Sequence, residues 1–140
     1  MKRFTKLSTM LLTAVILCTS ILPLFANAAG EITPYYANTN ICACSFAASN
    51  GQAIAAVTYK AKSAAFSYAT ITVKIQKRFL GIFWSTVDEW TVTCYDVNGC
   101  VENSTPLEDT GTYRAVFTVE IYGRDGSVDE IEDKITSTYE

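Results

Sequence analysis

The residues able to do chemistry are few, and one type is missing altogether. Among 140 residues there is no histidine. No Ser-His-Asp or Cys-His nucleophile can be assembled, and no imidazole-ligated metal. Serine and threonine are abundant but lack that base. Ser63 directly follows Lys62, which is not the S-x-x-K spacing of lysine-assisted serine chemistry. The carboxylates come as neighbours, Asp88-Glu89 and Glu108-Asp109. A glycosidase needs two carboxyl groups facing each other across a cleft, and adjacent strand residues point to opposite faces. The group Asp125, Asp129, Glu130, Glu132 and Asp133 lacks the alternating oxygen spacing of a calcium loop and reads as a solvated acidic face. We therefore expect no catalytic residue, no metal and no cofactor.

Four cysteines remain as candidates once the N-terminal leader is set aside: Cys42, Cys44, Cys94 and Cys100. Their C-x-C and C-x5-C spacings give neither zinc-ribbon knuckles nor a CxxC redox motif, so they read as structural staples. Four cysteines allow three pairings. Thiols two residues apart on a strand sit about 6.6 Å apart along it, whereas a disulfide wants Cβ atoms about 3.5–4.5 Å apart. The expected pairings are therefore crossed ones, tying the first strand to a Cys94–Cys100 hairpin. Each could stabilise by about 3–4 kcal/mol.

One segment rises above background. Arg78-Phe79-Leu80-Gly81-Ile82-Phe83-Trp84 places large apolar residues around a single glycine, where a hairpin tip is usually polar. Phe79, Leu80, Ile82, Phe83 and Trp84 are the candidate contact loop, for stacking on a glycan or entering a protein interface. In the competing reading, Phe79 and Trp84 fold back to cap one end of the core. Trp90 suits the core itself.

The elements that must position these residues follow from periodicity. Residues 1–28 read as a secretory signal peptide. Lys2, Arg3 and Lys6 precede an apolar run from Met10 to Phe25, and Ala26-Asn27-Ala28 offers a cleavage site. The run is short for a bilayer span and contains Pro23, and Leu17 before Cys18 speaks against lipid attachment. Cleavage removes three of 11 basic residues and none of the 14 acidic ones, taking the net charge from −3 to about −6. That balance speaks against nucleic acid. Residues 29–40 read as an extended arm, and residues 41–140 as a sandwich domain. Thr70 to Arg78 alternates most clearly, with Ile71, Val73 and Ile75 inward. Phe83 to Cys94 carries Asp88-Glu89, a sign of a bulge or an edge. Thr112 to Tyr122 turns Tyr113, Ala115, Phe117, Val119 and Ile121 inward. Val128 to Tyr139 closes the chain, as a strand or as a short acidic helix. Asn50-Gly51 and Asn98-Gly99 are turn signals. About seven short strands at this spacing indicate an all-β antiparallel sandwich.

Asp109-Thr110-Gly111-Thr112-Tyr113 resembles the D-x-G-x-Y corner of immunoglobulin-like domains. The resemblance implies that Asp109, Gly111 and Tyr113 form a structural corner, with the Tyr113 hydroxyl bonded back to the backbone. Ala115 stands where that family has its second core cysteine, so the family's central disulfide does not carry over. The chain is also similar to small secreted β-sandwich proteins of Gram-positive bacteria, of unknown function. The similarity rests on Ile32-Thr33-Pro34, Ile75-Gln76-Lys77, Trp84-Ser85-Thr86-Val87-Asp88-Glu89-Trp90 and Gly111-Thr112-Tyr113-Arg114. It implies export and a sandwich, and no activity. The expectation is a secreted or envelope-associated, non-enzymatic binding module with a protein or cell-envelope glycan as partner. A secreted antimicrobial or toxin-like effector is the alternative.

Overall fold

A computed structural model describes residues 36–140. The expected leader and most of the expected arm lie outside the described residues. Seven strands follow one another: β1 (Thr39–Ser49), β2 (Gln52–Ala61), β3 (Phe66–Phe79), β4 (Phe83–Cys94), β5 (Asn98–Pro106), β6 (Gly111–Gly123) and β7 (Val128–Tyr139). They form two antiparallel sheets, one in the order β1-β2-β5 and the other β4-β3-β6-β7. No helix of the described residues is long and apolar enough to cross a membrane. The all-β, two-sheet, seven-strand architecture is as the periodicity requires. The last segment is strand from Val128 onward, not helix.

The core is the product of strict alternation. Ile71, Val73 and Ile75 of β3 and Ala115, Phe117, Val119 and Ile121 of β6 are buried, facing Ala55, Val57 and Tyr59 of β2. Neighbouring residues on these strands face outward, as period two dictates. Burying one such Ile or Phe contributes about 1.5–3 kcal/mol. Strands β3 and β6 are central, so their inward faces are the driest. Strand β4 lies at a sheet edge, and its pairing with β3 shifts register where Ile75 faces Asp88 and Gln76 faces Thr86. Val87 is the extra residue, so the Asp88-Glu89 pair marks both a bulge and an edge. Trp90 pairs with Val73 and packs partly buried against the core. Its indole Nε1 is buried without a hydrogen-bond partner.

Two sequence expectations change. Thr39 and Asn40, assigned to the arm, belong to β1; Thr39 pairs with Ala61. Asp129 holds the entry to this strand, accepting from the Ala37 and Asn38 amides at 2.9 and 2.7 Å and from the Thr39 hydroxyl at 2.8 Å. Cys94 and Cys100 do not flank a hairpin, because β4 and β5 lie in different sheets and Tyr95–Val97 crosses between them. Asn98-Gly99 is not a turn but the start of β5, paired with Lys60 and Tyr59. Gly99 is needed there because the Tyr59 ring occupies the space a Cβ would fill.

Candidate contact surface

The β1–β2 turn, the β3–β4 turn and the β5–β6 loop share one end of the sandwich. Leu107 of the loop donates its amide to the Gly51 carbonyl at 2.8 Å. The two turns differ by one residue in length, Ser49 pairing with Gln52 and Phe79 with Phe83, and share two successive left-handed residues. Asn50 and Gly51 have φ of 51° and 72°; Leu80 and Gly81 have 50° and 75°. Two successive left-handed residues make the turn whose twist suits a hairpin. Asn-Gly is the preferred pair for it, since asparagine tolerates the left-handed region and glycine has no Cβ to clash. Leucine in that region costs about 1–2 kcal/mol by the same steric argument.

Nothing among the described residues explains the leucine. Phe79, Leu80, Ile82 and Phe83 are exposed by 60, 74, 71 and 59%. They do not fold back onto the core. The physical reason lies in the strand lengths. Strand β3 pairs with β6 only as far as Lys77 opposite Tyr113, while its pairing with β4 continues to Phe79 opposite Phe83. The hairpin therefore runs on beyond the sheet that would cover it. A Cβ built on Gly81 meets nothing within 4 Å.

The base of the tip is ordered by cations. Arg78 Nε donates to the Gly81 carbonyl at 2.6 Å, and the Ile82 amide donates to the Phe79 carbonyl at 3.3 Å. The Arg114 guanidinium lies 4.1 Å from the Trp84 ring centre, and its Nε donates to Gln76 Oε1 at 2.8 Å. Trp84 is thus half-buried under an arginine, unlike its four apolar neighbours. Lys77 donates to Asp109 Oδ2 at 2.9 Å and sits 5.8 Å from the Tyr113 ring centre. The ion pair with Asp109 raises the Lys77 pKa from its ordinary value.

The neighbouring corner holds together internally. The Tyr113 hydroxyl donates to the Asp109 carbonyl at 2.6 Å, and Gly111 has φ of 143°. A cleft of about 540 Å³ beside it is lined by Asp88, Glu108, Asp109 and Lys77 among others. It brings together carboxylates from the two pairs that the sequence kept apart. Two of them already have partners: Asp88 Oδ2 accepts from the Thr105 hydroxyl at 2.7 Å, and Asp109 holds Lys77. The Asp88–Thr105 bond ties β4 to β5 across the two sheets.

The four cysteines are unpaired. The crossed disulfides expected from the sequence are not made, for reasons of parity and topology. Cys42 and Cys44 lie on the inward face of β1, which packs against β7. Cys94 lies on β4, at the opposite edge of the other sheet, roughly three strand spacings or 14 Å away. Cys100 pairs with Thr58 and is exposed, so it points away from Cys42 and Cys44. The Cys44 thiol bonds to Cys42 and holds it below the usual thiol range, against its burial and the nearby Asp133. Cys44 is pushed up by giving that bond, then by burial.

Asp129 is the residue that sequence reasoning misplaced. It is buried, not part of a solvated face. Burial works against its charge. Donation from the Thr39 hydroxyl and the Asn38 and Ala37 amides outweighs that and lowers its pKa from the ordinary value. The signal was present: Asp129 shares strand parity with the inward Ile131 and Ile135. No group of three or more Cys, Asp or Glu side chains among the described residues is placed to hold a metal ion. A cluster of Tyr68, Tyr95 and Tyr122 on the outer face of the four-stranded sheet carries no signal in the sequence. Tyr68 and Tyr122 stack at 4.3 Å, each covering one ring face of the other.

No family model matches this chain. No curated protein matches it either. Among solved structures, it is similar to a superoxide reductase (neelaredoxin) from Ignicoccus hospitalis, at 14% identity and a TM-score of 0.39, covering 74% of this chain and 84% of that one. A likeness at that level carries no activity to this chain.

Proposed function

We propose that this chain is a non-enzymatic binding module whose contact element is the β3–β4 hairpin tip. The observation that carries the reading is Leu80. It occupies a left-handed turn position that an asparagine fills in the twin hairpin, and it is exposed. Neither turn chemistry nor core packing favours a leucine there, so its selection points outward. The cleft offers weaker support for an enzyme, since Asp88 and Asp109 are both engaged in holding the fold.

The frame of this reading is an immunoglobulin-like sandwich. The 1-2-5 and 4-3-6-7 strand orders and the Tyr113–Asp109 bond at the start of β6 support it. Export by the N-terminal leader and residence at a bacterial, Gram-positive envelope complete the proposal. The test is retention on washed Gram-positive envelopes. The chain should be retained, and the chain carrying Leu80→Asn with Phe83→Ser should not be, at equal β content by circular dichroism. Equal retention of the two would refute the tip as contact element.

A further inference from the structure

Three features of the tip restrict what it can touch. The first is the chemistry of its apex. A sugar platform presents flat aromatic faces with polar side chains beside them, and here the apex is Leu80, Gly81 and Ile82. The tryptophan nearest to it already has its ring under the Arg114 guanidinium at 4.1 Å.

The second feature is order along the hairpin. Leu80 and Ile82 come first, Phe79 and Phe83 flank them, and Arg78 and Trp84 pair one step behind. Lys77 and Arg114 follow at the base. Strands rise about 3.4 Å per residue, so the apolar rungs span roughly 5–7 Å of backbone, with the Arg78 side chain reaching forward along them to Gly81. That matches the depth to which interfacial segments enter the headgroup–acyl boundary. Aromatic and cationic residues just behind an apolar edge are the side chains that sit at headgroup level.

The third feature is polar satisfaction and charge. Two of the turn's carbonyls, Phe79 and Gly81, accept from the Ile82 amide and from Arg78 Nε. A turn entering hydrocarbon must bring its hydrogen bonds with it. Neither Arg78 nor Arg114 pairs with a carboxylate among the described residues, although the chain as a whole is acidic. Lys77 is neutralised by Asp109, and Lys74 by Glu89. Two guanidiniums without a carboxylate partner therefore stand at the tip of an anionic protein, Arg78 reaching forward to the Gly81 carbonyl and Arg114 lying over Trp84.

We infer that the tip is a shallow anchor for an anionic lipid bilayer, with Phe79, Leu80, Ile82 and Phe83 in the headgroup–acyl boundary and Arg78 and Arg114 at phosphate level. The inference rests on the reading of the tip as the contact element. A single tip of four apolar side chains gives reversible attachment, held to the surface by both hydrophobic and charge terms.

The test is co-sedimentation of the chain, in its exported form, with sucrose-loaded vesicles of phosphatidylcholine alone or with phosphatidylglycerol. The expected result is binding to the anionic vesicles that falls at least tenfold in the Leu80→Asn/Phe83→Ser chain. Arg78→Ala should weaken binding several-fold on anionic vesicles, and by a smaller factor on neutral ones, where only its bond to the Gly81 carbonyl is lost. The double variant keeps a turn that the molecule already uses at Asn50-Gly51, and circular dichroism verifies its fold. Equal binding by the two chains, or no vesicle binding by the unmodified one, overturns the lipid assignment. If vesicles fail while the double variant still loses retention on envelopes, the occupant is a wall glycan or a protein and the contact reading survives. If the double variant is retained on envelopes as well, both readings fall.

Discussion

Two hairpins at one end of this sandwich share a pair of left-handed residues and differ in loop length and composition: two residues separate Ser49 from Gln52, three separate Phe79 from Phe83. The β1–β2 turn, Asn50-Gly51, is polar and its Gly51 carbonyl is tied to Leu107 of the body. The β3–β4 turn, Leu80-Gly81, is apolar and projects beyond the sheets. Since φ agrees to within a few degrees at both positions, the conformation does not account for the difference in residue type. The comparison teaches how to separate fold from function in one molecule. Asparagine is what turn chemistry favours at a left-handed position, and the exposed Leu80 departs from it, which is the ground of the proposed contact role.

The largest expected effect separates the two turns by function. Replacing Phe79, Leu80, Ile82 and Phe83 by serine or asparagine should reduce envelope retention more than tenfold, worth over 1.4 kcal/mol. Replacing Asn50 should leave retention unchanged. A retention assay run on both variants would break the comparison if the polar turn mattered equally.

The next tests whether the backbones are as alike as their angles. Gly51→Ala and Gly81→Ala each place a Cβ on a positive-φ residue, with no close atom to worsen it. Each should cost about 1–2 kcal/mol in urea unfolding, and the two values should agree. A cost at only one turn would show that the hairpins are not equivalent.

Acid probes the opposite end of the sandwich, where Asp129 ties the start of β1 to β7. Its pKa is lowered in the folded state, so its contribution is complete above the ordinary carboxylate value. It is lost as pH falls through the lowered one. Asp129→Asn should lower stability by about 1–2 kcal/mol at neutral pH and flatten the acid limb of the stability curve. Retention measured near neutral pH should be unaffected, because Asp129 and the tip lie at opposite ends.

The smallest effect is the most pointed. Leu80→Asn should stabilise the fold by about 0.5–1 kcal/mol, and Asn50→Leu should destabilise it by a similar amount. Opposite signs at matched positions, read from thermal or urea unfolding, would sharpen the claim that Leu80 is kept at the expense of the fold. A loss of stability in both variants would remove it.

Much of this molecule was legible in its residues, and the failures share a cause. The alternations through Ile71-Val73-Ile75 and Tyr113-Ala115-Phe117 fix the inward faces, because side-chain direction in a strand has period two whatever the partner. The missing histidine closes off whole classes of chemistry by composition alone. The tip's composition is equally plain from the chain. Which segments meet is another matter. Asn98-Gly99 has the composition of a turn and serves as a strand start, because the Tyr59 ring needs a residue without a Cβ beside it. Cys42, Cys44, Cys94 and Cys100 invite bridging, but strand order puts Cys94 in the other sheet and the outward face of β5 turns Cys100 away from Cys42 and Cys44. Asp129 looks like one carboxylate of an acidic run until two amides and a hydroxyl from the start of β1 converge on it. Whether Phe79 and Trp84 cap the core is decided by β3 outrunning its pairing with β6: Phe79 stands clear, and Trp84 is half-buried under Arg114. Local pattern sets which way each side chain faces, since that depends only on the strand it belongs to. What it faces depends on strand order and strand length, and those are properties of the assembled sheets.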